Sequence, residues 1–226
     1  MRGIRLAIFD IDGTLRRVRS PWWHLHEHLG LAEAARAYAP MFERGEITYE
    51  RWAQLDAALW RGRTRDEMAA ALESNPLRQG ADRLVAYLTA RGVPCTAVST
   101  GLSLFAEPTA EALGLGEVVC NRLLFEGDRC RGRVEVRVTE HNKAEVMAGV
   151  LRRAGVRAEE AIVFGDGPAD VPMFEAAGLA VAVCPTAPAV RAAADYVVED
   201  EPIDAVIADL ERHIPRGGSP DPPRSL

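Results

Sequence analysis

Asp10 and Asp12 stand two residues apart in Phe9-Asp10-Ile11-Asp12-Gly13-Thr14-Leu15, directly after the mostly apolar run Ile4 to Phe9. In extended backbone, residues i and i+2 project to the same side, so both carboxylates enter one small volume before Gly13 lets the chain turn. Two like charges placed so close call for a counter-ion. A hard divalent cation with oxygen ligands is the natural one, and Mg2+ is the common choice where phosphate is also present. Three further groups stand at the ends of apolar runs or at a helix start. Ser99-Thr100-Gly101 follows Pro94 to Val98 and offers a hydroxyl and backbone N–H groups near a helix start, suited to phosphate oxygens. Gly165-Asp166-Gly167-Pro168-Ala169-Asp170 follows Ile162 to Phe164 with two more carboxylates, and Lys143 opens a helix as a mobile cation.

These residues meet only if the apolar runs lie side by side. The run Ile4 to Phe9 reads as a central strand covered on both faces. From about residue 78 the pattern alternates: a helix over 80–91, the strand Pro94 to Val98, a helix over 103–113, and a hairpin over 118–136 turning at Glu126-Gly127-Asp128. A helix over 141–154, the strand 161–164, a helix over 170–177 and the strands Leu179 to Val183 and Tyr196 to Val198 follow. Such alternation predicts a doubly wound, mainly parallel α/β sheet, whose ligands bind outside the carboxyl ends of the strands. Residues 21–75 instead read as helical. Ser20 caps a helix starting at Pro21, a second helix spans 32–44 and stops at Gly45, and Thr48 caps a third whose apolar stripe is Trp52, Leu55 and Leu59. Thr64 and Glu67 give another capping signature. The expected division is a core of residues 1–16 and 78–213, a helical-bundle cap inserted over 17–77, and a Pro- and Gly-rich disordered tail over 214–226.

The 226-residue chain carries a net charge of -6, with 48% hydrophobic and 27% charged residues, as in an ordinary soluble globular protein. No lysine- or arginine-rich block tracks phosphates, so no nucleic-acid partner is expected. With no signal peptide and no apolar run of about 18 residues, neither a membrane partner nor export is expected, and the cytoplasm is the expected location. Cys95, Cys120, Cys130 and Cys184 form no CxxC pair and read as reduced, mostly buried thiols.

The four groups, in this order, resemble the motifs of the haloacid dehalogenase-like phosphatase superfamily: Asp10-x-Asp12-Gly-Thr, Ser99, Lys143 and Gly165-Asp166-Gly-x-x-Asp170. The resemblance covers most of residues 4–210 and implies a Rossmann-like core with a helical cap. Gly45 to Tyr49 and Asn121-Arg122-Leu123 look like its phosphoserine phosphatase branch. It implies a Mg2+-dependent phosphatase acting on a small phosphorylated metabolite. Asp10 would be the nucleophile that forms an aspartyl phosphate, and Asp12 the acid and base. Ser99, Thr100 and Lys143 would hold phosphate. Asp10, Asp166 and the Asp12 backbone carbonyl would hold the metal, with Asp170 orienting the metal water or Lys143 from behind. A phosphotransferase or mutase, passing the group to a second hydroxyl compound, uses the same residues, and a non-catalytic binding module is the remaining alternative.

The cap departs from that branch, which meets the substrate ammonium with a glutamate and its carboxylate with an arginine. Ungapped counting from Asp10 and Gly45 reaches Arg19 and Asp56, so both charges are inverted and phosphoserine is disfavoured. Glu27 or Arg51 would substitute if the alignment slips. Trp22 and Trp23 are candidates for lining an apolar substrate pocket. His24, His26 and His28 read as solvated helix positions, and Arg16, Arg17 and Arg19 as a solvated hinge or as steering charges for an anion.

Overall fold

The structure, a computed structural model, describes residues 3–214. Seven strands form one sheet: β1 (Leu6–Phe9), β2 (Cys95–Leu102), β3 (Val118–Glu126), β4 (Arg129–Glu135), β5 (Ala161–Gly165), β6 (Leu179–Val183) and β7 (Tyr196–Val198). Their order is β4-β3-β2-β1-β5-β6-β7, parallel throughout except for the β3–β4 hairpin. The side chains of β1 alternate between two cores. Ala7 and Phe9 join Leu84, Val85 and Leu88 of the helix Ala81–Ala90 on one face, while Leu6 and Ile8 join Met147, Val150 and Leu151 of the helix Lys143–Ala154 on the other. A strand covered on both sides has no use for polar residues, which is why its apolar run is nearly continuous.

The chain builds outward from β1 through β2 and β3, then returns past it to β5 on the opposite side. Direction therefore reverses between β1 and β5, the position at which open α/β sheets leave a crevice for ligands. Phe9 stacks on Phe164 across this pair, with centroids 4.4 Å apart and planes within 8°, which fixes the relative height of the two strand ends.

The helices between β1 and β2 bury Leu25, Leu29, Ala53, Ala57, Trp60, Met68 and Ala71 in a third core completed by Leu102, Phe105, Leu123, Cys130 and Val134. Their starts follow the expected caps: the hydroxyls of Ser20, Thr48 and Thr64 accept from the N–H groups of Trp23, Arg51 and Glu67. Two expectations change. The helix expected over 32–44 is split into Ala32–Ala35 and Tyr38–Glu43, because Pro40 has no N–H for the carbonyl of Arg36. In the helix Tyr49–Leu59 the buried face is Ala53, Asp56 and Ala57 rather than the expected stripe of Trp52, Leu55 and Leu59. Small residues let this helix lie close against β4, with Leu59 and Tyr49 packing partly buried at the margin of the third core.

Other assignments shift as well. Strand β2 runs on to Leu102 with an irregular register after Val98, so Ser99 to Gly101, expected after the strand, lie on its extension, just before the helix that starts at Ser103. Ile214, read as the start of the tail, is buried in the first core, and residues 215–226 of the expected tail lie outside the described residues. The cysteines are free thiols, with Cys184 partly exposed and the others buried. Among the described residues, no helix is long and apolar enough to cross a membrane.

Candidate active site

Asp10, the first residue beyond β1, is 5% exposed, and its Oδ1 lies 2.8 Å from Nζ of Lys143. Lys143 is the first residue of its helix and is itself 2% exposed, with Nζ also 2.6 Å from Oδ1 of Asp170. The expected mobile cation is thus a pinned one. Asp170 uses its other oxygen to accept the backbone N–H groups of Asp166 (2.9 Å) and Gly167 (3.0 Å), so it ties the lysine to the turn after β5. Asp10, Asp166 and Asp170 each bring a carboxylate oxygen within 4.8 Å of the others.

Asp12 faces the same volume from a different environment. Its Oδ2 accepts the Ser99 hydroxyl at 2.8 Å, and Ser99 Oγ in turn accepts the Gly101 N–H at 2.8 Å. Its Oδ1 is buried with no hydrogen-bond partner among the described residues. Two glycines leave the room these carboxylates occupy. At Gly13 (φ 90°) a Cβ would stand 2.3 Å from Asp166 Oδ2, and at Gly101 it would stand 2.1 Å from Asp12 Oδ2.

The charge is not balanced. Burial, partly offset by Lys143, pushes the Asp10 carboxyl well above the usual carboxylate range. Burial pushes Asp12 up to about 7 against the Ser99 hydrogen bond, and burial together with Asp170 pushes Asp166 up to about 6. Burial opposes charge on Lys143 too, but Asp10 and Asp170 outweigh it and hold the ammonium charged beyond its ordinary range. Four carboxylates beside one buried ammonium, one of them with an orphaned oxygen, make a donor set that fits a divalent cation.

The remaining sequence candidates divide. Thr100 lines the catalytic cavity of about 290 Å3 with Asp10, Asp12, Lys143, Asp166 and Asp170. Its carbonyl accepts from Asn121 Nδ2 (2.8 Å), Trp22 Nε1 (3.1 Å) and the Tyr49 hydroxyl (3.5 Å), which fastens the cap to the end of β2. Arg19 reaches the site: its Nε lies 3.1 Å from Asp166 Oδ2, and another guanidinium nitrogen donates to the Cys184 carbonyl at 2.8 Å. Cys184 holds φ at 43°, a strained setting for a residue with a side chain. Trp22 and Asp56 line an adjoining cap cavity, whereas Trp23 is exposed and bonds Glu27. Arg16 is buried against Thr109 and the Asn75 carbonyl, and Arg17 pairs with Glu201 at 2.6 Å, so neither steers an anion. Of the histidines, His28 is exposed and His24 bonds the Ala71 carbonyl, but His26 is 1% exposed, which corrects the solvated reading.

Sequence reasoning missed other contributors, among them Glu140, which lines the catalytic cavity. The Thr14 hydroxyl contacts Asp166 Oδ1 at 3.4 Å, a role visible only once Asp166 is in place. Thr186 bonds the Asp166 carbonyl through its N–H (2.9 Å) and its hydroxyl (3.0 Å) from a turn with no distinguishing local pattern.

Comparison with known proteins matches this geometry. Residues 7–175 match the model of the haloacid dehalogenase-like hydrolases. The phosphoserine phosphatase of Halobacterium salinarum is 31% identical over 210 residues, spanning 92% of this chain and 98% of the relative. That of Methanocaldococcus jannaschii is 25% identical over 204 residues, spanning 90% and 96%. A substrate-bound phosphoserine phosphatase complex shares the fold with a TM-score of 0.77 at 23% identity, covering 92% of this chain and 99% of its own. The matched span begins in the strand that presents Asp10 and runs past Asp170, and with a relative of that identity along nearly its full length, the chain belongs to the haloacid dehalogenase-like hydrolases.

Proposed function

We propose that this protein is a Mg2+-dependent phosphatase that hydrolyses a small phosphorylated metabolite through an aspartyl phosphate on Asp10. The observation that carries the reading is the pairing of two neighbouring aspartates in unlike surroundings. Asp10 sits against Lys143, while Asp12 holds its proton up to about pH 7 and keeps an unbonded oxygen. Lys143 and a bound cation would hold Asp10 ionised for attack against the burial that raises it, while Asp12 keeps a proton to donate.

Asp10 and Asp166, with the Asp12 backbone carbonyl that the family resemblance implies, would hold the cation. Bound there, Mg2+ neutralises phosphate charge that would otherwise repel an anionic nucleophile. An Asp10 oxygen attacks phosphorus in line as the ester P–O bond breaks, and Asp12 gives its proton to the departing alkoxide. The Asp12 carboxylate then takes a proton from the water that attacks phosphorus, the bond to Asp10 breaks, and phosphate leaves. Lys143 and the Thr100 N–H hold the transferring oxygens, Ser99 spends its hydroxyl proton on Asp12 and orients it, and Asp170 keeps Lys143 in place. Phosphoserine would meet Arg19 and Asp56 where the branch named for it presents the opposite charges, so a different phosphomonoester is the proposed substrate.

The test is turnover of p-nitrophenyl phosphate by the purified protein with Mg2+ or with chelator, beside Asp10→Asn. Turnover should require Mg2+ and fall by more than about 10^4-fold in Asp10→Asn. Metal-independent turnover, or wild-type rates in the variant, would overturn the reading.

A further inference from the structure

The cap cavity is the part of the molecule that the chemistry at the sheet edge leaves unexplained. It measures about 220 Å3 and is lined by Arg19, Trp22, Tyr49, Trp52, Asp56 and Glu140, among others. It shares Arg19, Thr100 and Glu140 with the catalytic cavity, so a leaving group attached to phosphorus at Asp10 extends into it. Pockets for drug-sized ligands begin at about 300 Å3, so this one takes a leaving group of few atoms.

Its charge is set by a buried chain of contacts. Trp60 Nε1 donates to His26 Nδ1 at 3.1 Å, and His26 Nε2 lies 3.1 Å from Asp56 Oδ1, off the line of a hydrogen bond. An indole N–H can only donate, so Nδ1 is the acceptor nitrogen and the Nε2 side of the ring is turned to Asp56. Asp56, 4% exposed, faces the cavity with its carboxyl raised by burial and partly held down by His26, so an added cation would favour its charged form. Arg19 is the one cation among the lining residues, and it is engaged by Asp166 and the Cys184 carbonyl. Glu140 adds a second carboxylate at the junction of the two cavities.

Three aromatic side chains join small and polar residues in the rest of the wall. Tyr49 and Trp52 stand with centroids 6.2 Å apart and planes at 72°, two faces close to a right angle, and Trp22 is held by its bond to Thr100. Carboxylates among aromatic faces attract an organic cation, since the ring quadrupole and the charge act together. A carboxylate on the ligand would instead meet Asp56 and Glu140.

Building on the phosphatase reading above, we propose that the substrate is the phosphomonoester of a small amino alcohol that lacks a carboxylate. Its ammonium or alkylammonium group sits among Trp22, Tyr49 and Trp52 against Asp56 and Glu140. Hydrolysis as described then releases the free amino alcohol and inorganic phosphate.

The experiment compares kcat/KM for phosphoethanolamine, phosphocholine, the neutral ester in which tert-butyl replaces the trimethylammonium group, phosphoserine and p-nitrophenyl phosphate, all with Mg2+. The cationic esters should exceed the neutral isostere by about tenfold or more. In Asp56→Asn that ratio should collapse toward unity, while Asp56→Glu keeps part of it. Trp52→Leu, at a half-buried position, should lower the same ratio and guards against an Asp56 variant that does not fold. Equal rates for the cationic ester and its isostere, or a preference for phosphoserine over phosphoethanolamine, would overturn the amino-alcohol assignment alone. Failure to turn over any ester, p-nitrophenyl phosphate included, would overturn the phosphatase reading and this inference with it.

Discussion

The sheet edge and the cap wall handle charge in opposite ways. At the edge, carboxylates crowd around one buried ammonium, and each is placed by backbone: a strand end, a helix start or a turn. On the cap wall a single buried carboxylate is set among rings, placed by helix packing and by a histidine behind it. Backbone placement tolerates little change, because a strand end moves only with the sheet. Side-chain placement can be exchanged residue by residue. The same molecule thus holds a fixed reaction centre beside a wall on which selectivity is free to vary.

The comparison breaks if the edge chemistry depends on the cap, and the largest expected effect tests this. Asp12→Asn should lower kcat/KM for an alkyl phosphate by about 10^2 to 10^4-fold, and much less for p-nitrophenyl phosphate, whose leaving group needs little protonation. An equal loss on both esters would remove Asp12 from the role of acid.

A second test uses the unbalanced charge. Unfolded aspartates ionise near pH ~4, whereas in the folded, metal-free protein Asp166 keeps its proton to about 6 and Asp12 to about 7. Between those limits the folded state binds more protons than the unfolded chain, so this contribution to stability is present at low pH and is lost as pH rises through the window. The loss should be on the order of a few kcal/mol. In thermal melts with chelator, the part of stability restored by adding Mg2+ should be larger at pH 8 than at pH 5. Equal Mg2+ stabilisation at both would show the cluster to be balanced without metal.

The contrast sharpens with smaller changes. Trp22→Phe removes one donor from the Thr100 carbonyl while Asn121 still satisfies it, so about 1 kcal/mol should be lost, read as a rise in KM at nearly constant kcat. Arg19→Ala frees Asp166 from a half-exposed ion pair worth under about 1 kcal/mol, and Mg2+ affinity in a titration should tighten by a few-fold at most.

The edge was legible in sequence because its parts are punctuation. Apolar runs end where polar groups begin, so Asp10 and Asp166 mark strand ends, and Lys143 a helix start, without any knowledge of packing, whereas Ser99 lies within the longer β2. The wall was not legible in the same way. The rotation of the helix Tyr49–Leu59 buries the small residues Ala53 and Ala57 with Asp56, and of the expected stripe of Trp52, Leu55 and Leu59 only Leu59 packs against the third core. His26 looks like its solvated neighbours until Asp56 and Trp60 come to it from another helix, and Arg19 meets Asp166 across 147 positions of sequence. Such contacts belong to tertiary structure, and no local pattern announces them.

The central place of β1 has a consequence for synthesis. Its neighbours in the sheet are β2, paired through Cys95, and β5, paired through Ala161, so the loops closed around the first strand are long and the fold is rich in distant contacts. A ribosome that has made only the first half of the chain has already made Asp10, yet none of Lys143, Asp166 or Asp170 that give it charge and orientation. A chain interrupted before residue 170 therefore lacks the full set of groups that charge and orient Asp10.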